Sequence, residues 1–488
     1  MKSFRIVSHI LLLSVLLTLC APAACALTAP SLNGQAAVLI DLDTGRVLYG
    51  YNMDEERAPA SLTKVMTVLL ALEAVDAGRV SLDEMIVAQD DCLQGMEDDS
   101  STSGIGPGVH ISMKDLLYCA LLQSANEACN IIGRYLAGSI AGFVDQMNQK
   151  AEQLGCKHTH FANTNGLPDD NHYSSAYDQY LIFAAAMKHP LFMEISNAAS
   201  YQAACTAVNN GEPIGNSNAL INITSIYSNG GRYLYEGASG GKTGYTRAAG
   251  YCLVSTAQRN GVRLLAVAMG CDGALNAQIE DYYNFIDSRT LYDWGFDNFS
   301  YRTLLNPNEV IERQEVELAE GDALAMLRPA EEVTVLMPNE VTEDDLRREV
   351  VLYNETLRAP IDAGTVLGEV RVYVGSTLYG TSKLVNSSTI ELSRNAYLMR
   401  RVAEILSKGW VITLLSILSV FAVIYLILIT RYRRLRKKHL RERRRAEKRR
   451  REEELARRRQ GVPFKSADPT DRFDFTADMS AFFDDEEK

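Results

Sequence analysis

Two serines and two lysines carry most of the chemistry that this chain can offer. Ser61-Leu62-Thr63-Lys64 places a hydroxyl three residues before an amine, and Ser124-Ala125-Asn126 places a second hydroxyl beside an amide. Lys242-Thr243-Gly244 places a cation beside a hydroxyl and a residue with no side chain. Residues three apart share a face of a helix, so Lys64 can reach Ser61 and act as base for an attacking oxygen. This is the kit of acyl transfer with lysine in the place of histidine. A lysine base must be neutral, so its pKa must fall; burial in a cleft and a second cation nearby, with Lys242 the obvious candidate, both push it down. A helix start beneath Ser61 adds partial positive charge where an oxyanion would form. Ser124 then reads as a proton shuttle to a leaving amine and Asn126 as a hydrogen-bond partner of a substrate amide. Lys242 and Thr243 read as a carboxylate grip, and Gly244 as room for close backbone approach.

Each pattern has a plain structural reading as well. Ser61 sits where an N-cap serine would sit, Ser124-Ala125-Asn126 resembles a capping turn, and Lys242-Thr243-Gly244 could be a surface turn. Ser-x-x-Lys also recurs as Ser239-Gly240-Gly241-Lys242. Two glycines make a helix improbable there, so context favours the pair Ser61 and Lys64.

These residues must be positioned by an α+β fold. Ala36 to Ile40 and Val47 to Tyr49, joined across Asp41 to Gly45, read as an antiparallel hairpin. A helix begins around Pro59-Ala60-Ser61, with Val65, Leu69, Leu72 and Val75 at helical spacing. Residues 112 to 192 are mostly helical in pattern, including Met113 to Leu122 and Gly142 to Leu154, with loops at 163–166 and 168–170. Strands return near Lys242, and Gly250 to Ala257 meets Val262 to Met269 across Arg259-Asn260-Gly261, a hairpin turn signal. A closing helix runs about Gln278 to Tyr292. The order strands, helices, strands, helix predicts an antiparallel sheet built from both ends of a domain, with a helical lobe inserted between them. Beyond Phe299, short β-type runs (310–318, 333–336, 350–353, 366–374 and 382–385) predict a small all-β module.

The ends of the chain speak of a membrane. Residues 1–26 carry Lys2 and Arg5, an apolar stretch from Ile10 to Leu19 and a small-residue exit at Ala24-Cys25-Ala26, the layout of a cleavable secretory signal. Trp410 to Thr430 is 21 residues without a charge, which at 1.5 Å per residue spans about 32 Å, enough to cross a bilayer. Arg431 to Arg459 holds 17 Lys and Arg against 5 Asp and Glu, a net +12, so that the other residues carry −24 of the chain's −12. Charge confined to one segment beside an apolar span argues for topology, with that side cytoplasmic, and against nucleic-acid binding by the folded body. Residues 460–488 end in acidic and aromatic clusters that suit a cytoplasmic protein partner. The expected division is therefore 1–26 signal, 27–298 catalytic domain and 299–393 all-β domain. An amphipathic juxtamembrane helix (394–409), a transmembrane helix (410–430) and a basic then acidic tail (431–488) follow. Seven cysteines remain after residue 26, an odd number with no C-x-x-C pair. They read as small buried hydrophobes, with a bridge between Cys252 and Cys271 left open.

The three motifs in this order and spacing resemble the low-molecular-weight penicillin-binding proteins, the serine D-alanyl-D-alanine carboxypeptidases. Longer strings strengthen the likeness: 59–64, Met147-Asn148 with Leu154-Gly155, 163–167, and 241–246 leading to Ala249-Gly250. The resemblance implies a β-lactamase/transpeptidase-like domain in which Ser61 attacks the carbonyl between two terminal D-alanines of a peptidoglycan stem peptide. Lys64 is then the base, Ser124 and Asn126 complete the site, and Lys242 with Thr243 recognises the terminal carboxylate beside Gly244. The N–H groups of Ser61 and Tyr245 would form the oxyanion hole. β-Lactam antibiotics are expected to acylate Ser61, and no metal or organic cofactor is implied. Glu127 stands where many relatives have Asp, and Ser239-Gly240 where they often have Asp-Gly. A β-lactamase, a D,D-endopeptidase and a slow penicilloyl-binding sensor would use the same site.

Overall fold

The structure, a computed structural model, describes residues 27–273, 281–321, 323–459 and 461. The expected signal segment and nearly all of the terminal tail lie outside these residues. Two compact units divide the chain: Met1–Gln314 with Leu324–Leu357 and Asp362–Thr389, and Glu315–Ala323 with Arg358–Ile361 and Ile390–Lys488.

In the first unit, β1 (Ala36–Asp41) and β2 (Val47–Tyr51) form the expected hairpin. A 3-10 turn, Ala60–Thr63, leads into α1 (Lys64–Asp76). After the helical middle, which includes α2 (Asn126–Ala137) and α3 (Ala176–Ala186), come β3 (Ala238–Thr246), β4 (Gly250–Arg259) and β5 (Val262–Cys271). The five strands form one antiparallel sheet in the order β2-β1-β5-β4-β3. Its two halves are joined by Ala36 opposite Met269 through Asp41 opposite Leu264. A sheet built from both ends of the domain is what the element order predicts, and β3 lies on its edge.

Both faces of this sheet are buried. Val38, Ile40, Val254, Leu265 and Val267 pack into the core of the helical lobe, while Leu39, Leu253, Leu264 and Ala266 pack against Phe285, Leu291 and Tyr292 of α4 (Tyr283–Asn298). Two covered faces explain why β1, β4 and β5 read as nearly continuous apolar runs and not as alternating strands. The closing helix is displaced towards the C-terminus from the expected 278–292, and residues 274–280 lie outside the described part.

Helix α1 forms where the helical spacing of Val65, Leu69, Leu72 and Val75 predicts it, and it buries more than those positions. Nine of its residues are buried, Lys64 and Thr67 among them, as befits a helix enclosed on all sides. The helix from Met113 also stops early: α-helical geometry ends at Tyr118 and a π-helical turn covers Cys119–Gln123. Past α4, Phe299–Leu305 pairs with Val333–Pro338, and a second antiparallel sheet contains Leu346–Leu352, Val366–Val374, Thr377–Asn386 and Leu324–Pro329 as successive neighbours. The strands at 299–305 and 324–329 go beyond those expected from sequence.

In the second unit, Ala319 bridges to Leu392 and Ile361 to Ile390. Glu317 accepts from both Arg358 (3.2 Å) and Arg400 (2.6 Å). These contacts tie the helix Arg394–Leu406, which exposes Leu398, Met399 and Val402, to the segments before it. Gly409–Arg459 is then one unbroken helix and, among the described residues, the one long and apolar enough to cross a membrane.

All seven cysteines in the described residues are free thiols. Cys252 and Cys271 form no bridge because Cys271 stands opposite Tyr251 in the β4–β5 register, and the two thiols lie in cores on opposite sides of the sheet. Burial pushes the Cys119 and Cys129 thiols up to about 12. Burial holds Cys156 at about 12 as well, so a thiol reagent at neutral pH should label native protein first at the partly exposed Cys205 and reach the buried thiols only in denaturant. Rapid native labelling of Cys252 or Cys271, read by peptide mass, would contradict this arrangement.

Candidate active site

Three regions of the first unit converge on one cluster: the turn before α1, the junction between the π-turn and α2, and β3. Ser61 sits in the 3-10 turn with no capping hydrogen bond from its side chain. Its Oγ lies 2.7 Å from Lys64 Nζ. The helix start therefore supplies geometry and dipole without consuming the hydroxyl as a cap.

Lys64 is fully buried, and its amine has two further neighbours, Asn126 Oδ1 at 2.8 Å and the Asn165 carbonyl at 2.7 Å. Both are acceptors without a proton to give, whereas Ser61 has a proton to donate. A neutral amine has two N–H bonds and one lone pair, so this environment fits it group for group. Burial lowers Lys64 to about 8, against a weaker upward pull from Cys129 and Glu127.

Ser124 ends the π-turn in the left-handed region, at φ 65° and ψ 33°. That turn presents its Oγ to Lys242 Nζ at 3.0 Å, and the same amine donates to the Thr243 carbonyl at 2.8 Å. Lys242 is buried as well, and burial, followed by Lys64, drives it well below the ordinary lysine range. The sequence predicts two causes for a lowered Lys64, burial in a cleft and a second cation at Lys242. In the structure burial is the leading cause for both amines, and the neighbouring Lys64 lowers Lys242 further.

Alternation along β3 sends Lys242 and Gly244 to the same face. Gly244 packs on the Ser61 turn so closely that a Cβ there would stand 3.1 Å from both Pro59 O and Ser61 N. Tyr245, opposite Tyr251 in the ladder, packs its ring 4.3 Å from that of Tyr251. The second Ser-x-x-Lys is a bulge: the β3–β4 register shifts between Ser239 and Lys242, with Gly240 at φ 60° and Gly241 at φ 127°. Ser239 Oγ pairs with Thr256 Oγ1 at 2.9 Å, which leaves Lys242 to the cluster around Ser124.

Two members of the site lie outside the three short motifs. Asn165, in the 163–166 loop, contributes only its carbonyl, an atom every residue has. Ser217 Oγ lies 2.6 Å from Thr243 Oγ1, and its N–H donates to Leu122 O (3.1 Å) beside the Ser124 turn. A small polar residue in a loop leaves no spacing signal to find. Glu127 is buried behind Asn126, where one oxygen accepts from Thr102 Oγ1 (2.8 Å) and Ser103 N (2.6 Å), so it fixes the neighbouring loop and does not face Ser61.

The Lys64 environment has a measurable consequence. Folded Lys64 releases its proton near pH 8, whereas an unfolded lysine holds it to 10.5. Between those values the unfolded chain binds more protons, so stability rises with pH. Lys64→Met lacks this rise. The stability of wild type minus that of the variant should grow by about 3 kcal/mol from pH 8 to 10.5, and equal differences in denaturant titrations at both pH values would refute it.

Comparison with known proteins agrees with this geometry. Residues 23–273 match the D-alanyl-D-alanine carboxypeptidase family, and residues 299–392 match the C-terminal domain of penicillin-binding protein 5. The chain is 30% identical to the D-alanyl-D-alanine carboxypeptidase DacA of Escherichia coli K12, over 70% of this chain and 79% of that one. It is 29% identical to DacF of Bacillus subtilis 168, over 69% and 80%. Penicillin-binding protein 5 from Haemophilus influenzae superposes with a TM-score of 0.57 at 26% identity, covering 75% of this chain and all of that one. Motif order, fold and these similarities together make the chain a member of the D-alanyl-D-alanine carboxypeptidase family of serine peptidases.

Proposed function

We propose that Ser61 is the nucleophile of a D-alanyl-D-alanine carboxypeptidase acting on peptidoglycan stem peptides, with Lys64 as its base. The observation that carries this assignment is the Lys64 amine, 2.7 Å from Ser61 Oγ, with its two other positions taken by Asn126 Oδ1 and the Asn165 carbonyl. The serine proton passes to Lys64 Nζ as Oγ bonds to the carbonyl carbon between the two terminal D-alanines. Backbone N–H groups of Ser61 and Tyr245 receive the oxyanion. As the C–N bond breaks, the proton that Lys64 took from Ser61 passes through Ser124, bonded to Lys242, to the departing amine, so that D-alanine leaves and Lys64 is neutral again. Water then attacks the ester on Ser61 with Lys64 again as base.

Position on the sheet edge supports an extended substrate, because among the described residues β3 has one side free of strand partners and can take a peptide as an added strand. The terminal carboxylate is assigned to Lys242, Thr243 and Ser217. Its negative charge favours the charged form of Lys242, and a charged Lys242 in turn favours a neutral Lys64. Substrate binding thus tunes the base that attacks it. A β-lactam offers a carbonyl and a carboxylate to the same groups and acylates Ser61.

The membrane arrangement is part of the proposal. A cleaved signal at 1–26 exports the catalytic domain (27–298) and the all-β domain (299–393). The helix 394–409 lies against the outer face, 410–430 spans the bilayer, and 431–488 stays in the cytoplasm. The supporting features are the apolar stretch of the unbroken helix Gly409–Arg459 and the basic run that follows without a break. The acidic and aromatic segment beyond it is assigned to a cytoplasmic protein partner.

Purified wild type should release D-alanine from a D-Ala-D-Ala peptide, and Ser61→Ala should lose both this release and penicillin labelling. Acylation of wild type should climb about tenfold per pH unit to near pH 8 and then level. Residual turnover by Ser61→Ala would exclude the mechanism. For topology, protease added to intact cells should destroy the penicillin-labelled domain and spare an epitope placed after Lys488. Loss of that epitope would reverse the orientation.

A further inference from the structure

The turn that carries Ser61 is held by a residue outside every motif. Ala60, immediately before the nucleophile, has φ of +48°. Residues with a side chain adopt this left-handed conformation rarely and keep it only where the surroundings impose it. One constraint is steric: Gly166 lies so close that a Cβ on it would stand 1.8 Å from Ala60 O. The other is a chain of hydrogen bonds. Thr63 Oγ1 donates to Ala60 O at 2.8 Å, and His172 Nε2 lies 2.8 Å from Thr63 Oγ1.

The polarity of this chain is set at its far end. Ala162 N–H donates to His172 Nδ1 at 3.0 Å, so Nδ1 is the acceptor and the ring proton sits on Nε2. Thr63 gives its only proton to Ala60 O and therefore accepts from Nε2–H. The sequence is His172 Nε2–H to Thr63 Oγ1–H to Ala60 O, buried throughout, with each bond polarising the next. The Phe161 ring packs edge-on to the imidazole. Burial holds His172 down to about 4, with Asp169 opposing, so the ring stays neutral at working pH. An apolar residue in its place would leave Ala162 N–H unpaired and the Thr63 oxygen without its donor.

We propose that His172 is a positioning residue for the reaction: acting through Thr63, it fixes the left-handed turn at Ala60 and so aims Ser61 Oγ between Lys64 and the substrate carbonyl. The proposal rests on Ser61 being the nucleophile. It assigns His172 no contact with substrate and no proton transfer to it.

Two substitutions separate this role from simple anchoring of the loop. Glutamine can place an N–H where Nε2 stands and so keeps the donor to Thr63, but it gives up the acceptor for Ala162. Asparagine can replace the Nδ1 acceptor but cannot reach Thr63. If the relay aims Ser61, His172→Gln should keep kcat for D-alanine release within about threefold, whereas His172→Asn should lower it about 100-fold with KM within about twofold. Penicillin acylation rates should follow kcat. A wild-type kcat in His172→Asn, or an equal fall in both variants, overturns the relay. Should thermal melts show that a His172 variant does not fold, Thr63→Ser and Thr63→Val pose the same question: serine should retain kcat and valine lose it, and wild-type kcat in Thr63→Val overturns the proposal. A Ser61→Ala control separates the two layers, because activity there removes the nucleophile itself, while an unaffected His172→Asn removes only the relay.

Discussion

Everything in the catalytic unit is arranged around one amine kept out of water. Burying a lysine costs several kcal/mol unless the charge is given up or matched. Lys64 meets that cost by occupying a pocket whose groups suit the neutral form: two acceptors for its two N–H bonds and a hydroxyl for its lone pair. No single element can provide that shell. Ser61 comes from the turn before α1, Asn126 from the start of α2 and Asn165 from a loop. The enclosure of α1, the helical lobe packed around it and the two-sided sheet beneath all keep solvent from this amine.

The second lysine sets the charge balance of the site. Lys242 is as buried as Lys64 and has only neutral hydrogen-bond partners among the described residues, Ser124 Oγ and the Thr243 carbonyl. Two buried amines repel, and an incoming carboxylate relieves that repulsion more than any neutral group could. In this reading, preference for a free C-terminus is built into the charge balance of the empty site. Beside Lys242, the hydroxyls of Thr243 and Ser217 lie 2.6 Å apart.

Much of this was legible in the sequence because it resides in local patterns. Ser61 with Lys64 depends on three-residue spacing, the sheet hairpins on Asn-Gly and Asp-Thr-Gly turns, and the membrane helix on length and hydropathy. Less legible were features created by tertiary approach. Asn165 acts through a backbone carbonyl, Ser217 reaches Thr243 from a loop, and His172 lies 109 positions from Thr63. The cause of the lysine shifts was also only partly readable: a sequence reveals a second cation, whereas the depth of burial belongs to the packed structure. The full enclosure of α1 was unreadable for the same reason, since its remaining surface is covered by parts of the chain distant in sequence.

The join between β1 and β5 has a consequence for the order in which the molecule is made. Ala36 pairs with Met269, so the sheet cannot close until more than half of the chain has left the ribosome. The helical lobe, contiguous in sequence, can assemble earlier from nearer contacts, but pairing across so long a loop is entropically expensive and slow. Until then the Ser61 turn has no β3 against it, and Lys242 has not reached Ser124. During synthesis Ser61 and Lys242 therefore belong to separate pieces of unfinished protein. Reactivity is thereby withheld until the two ends of the domain have met.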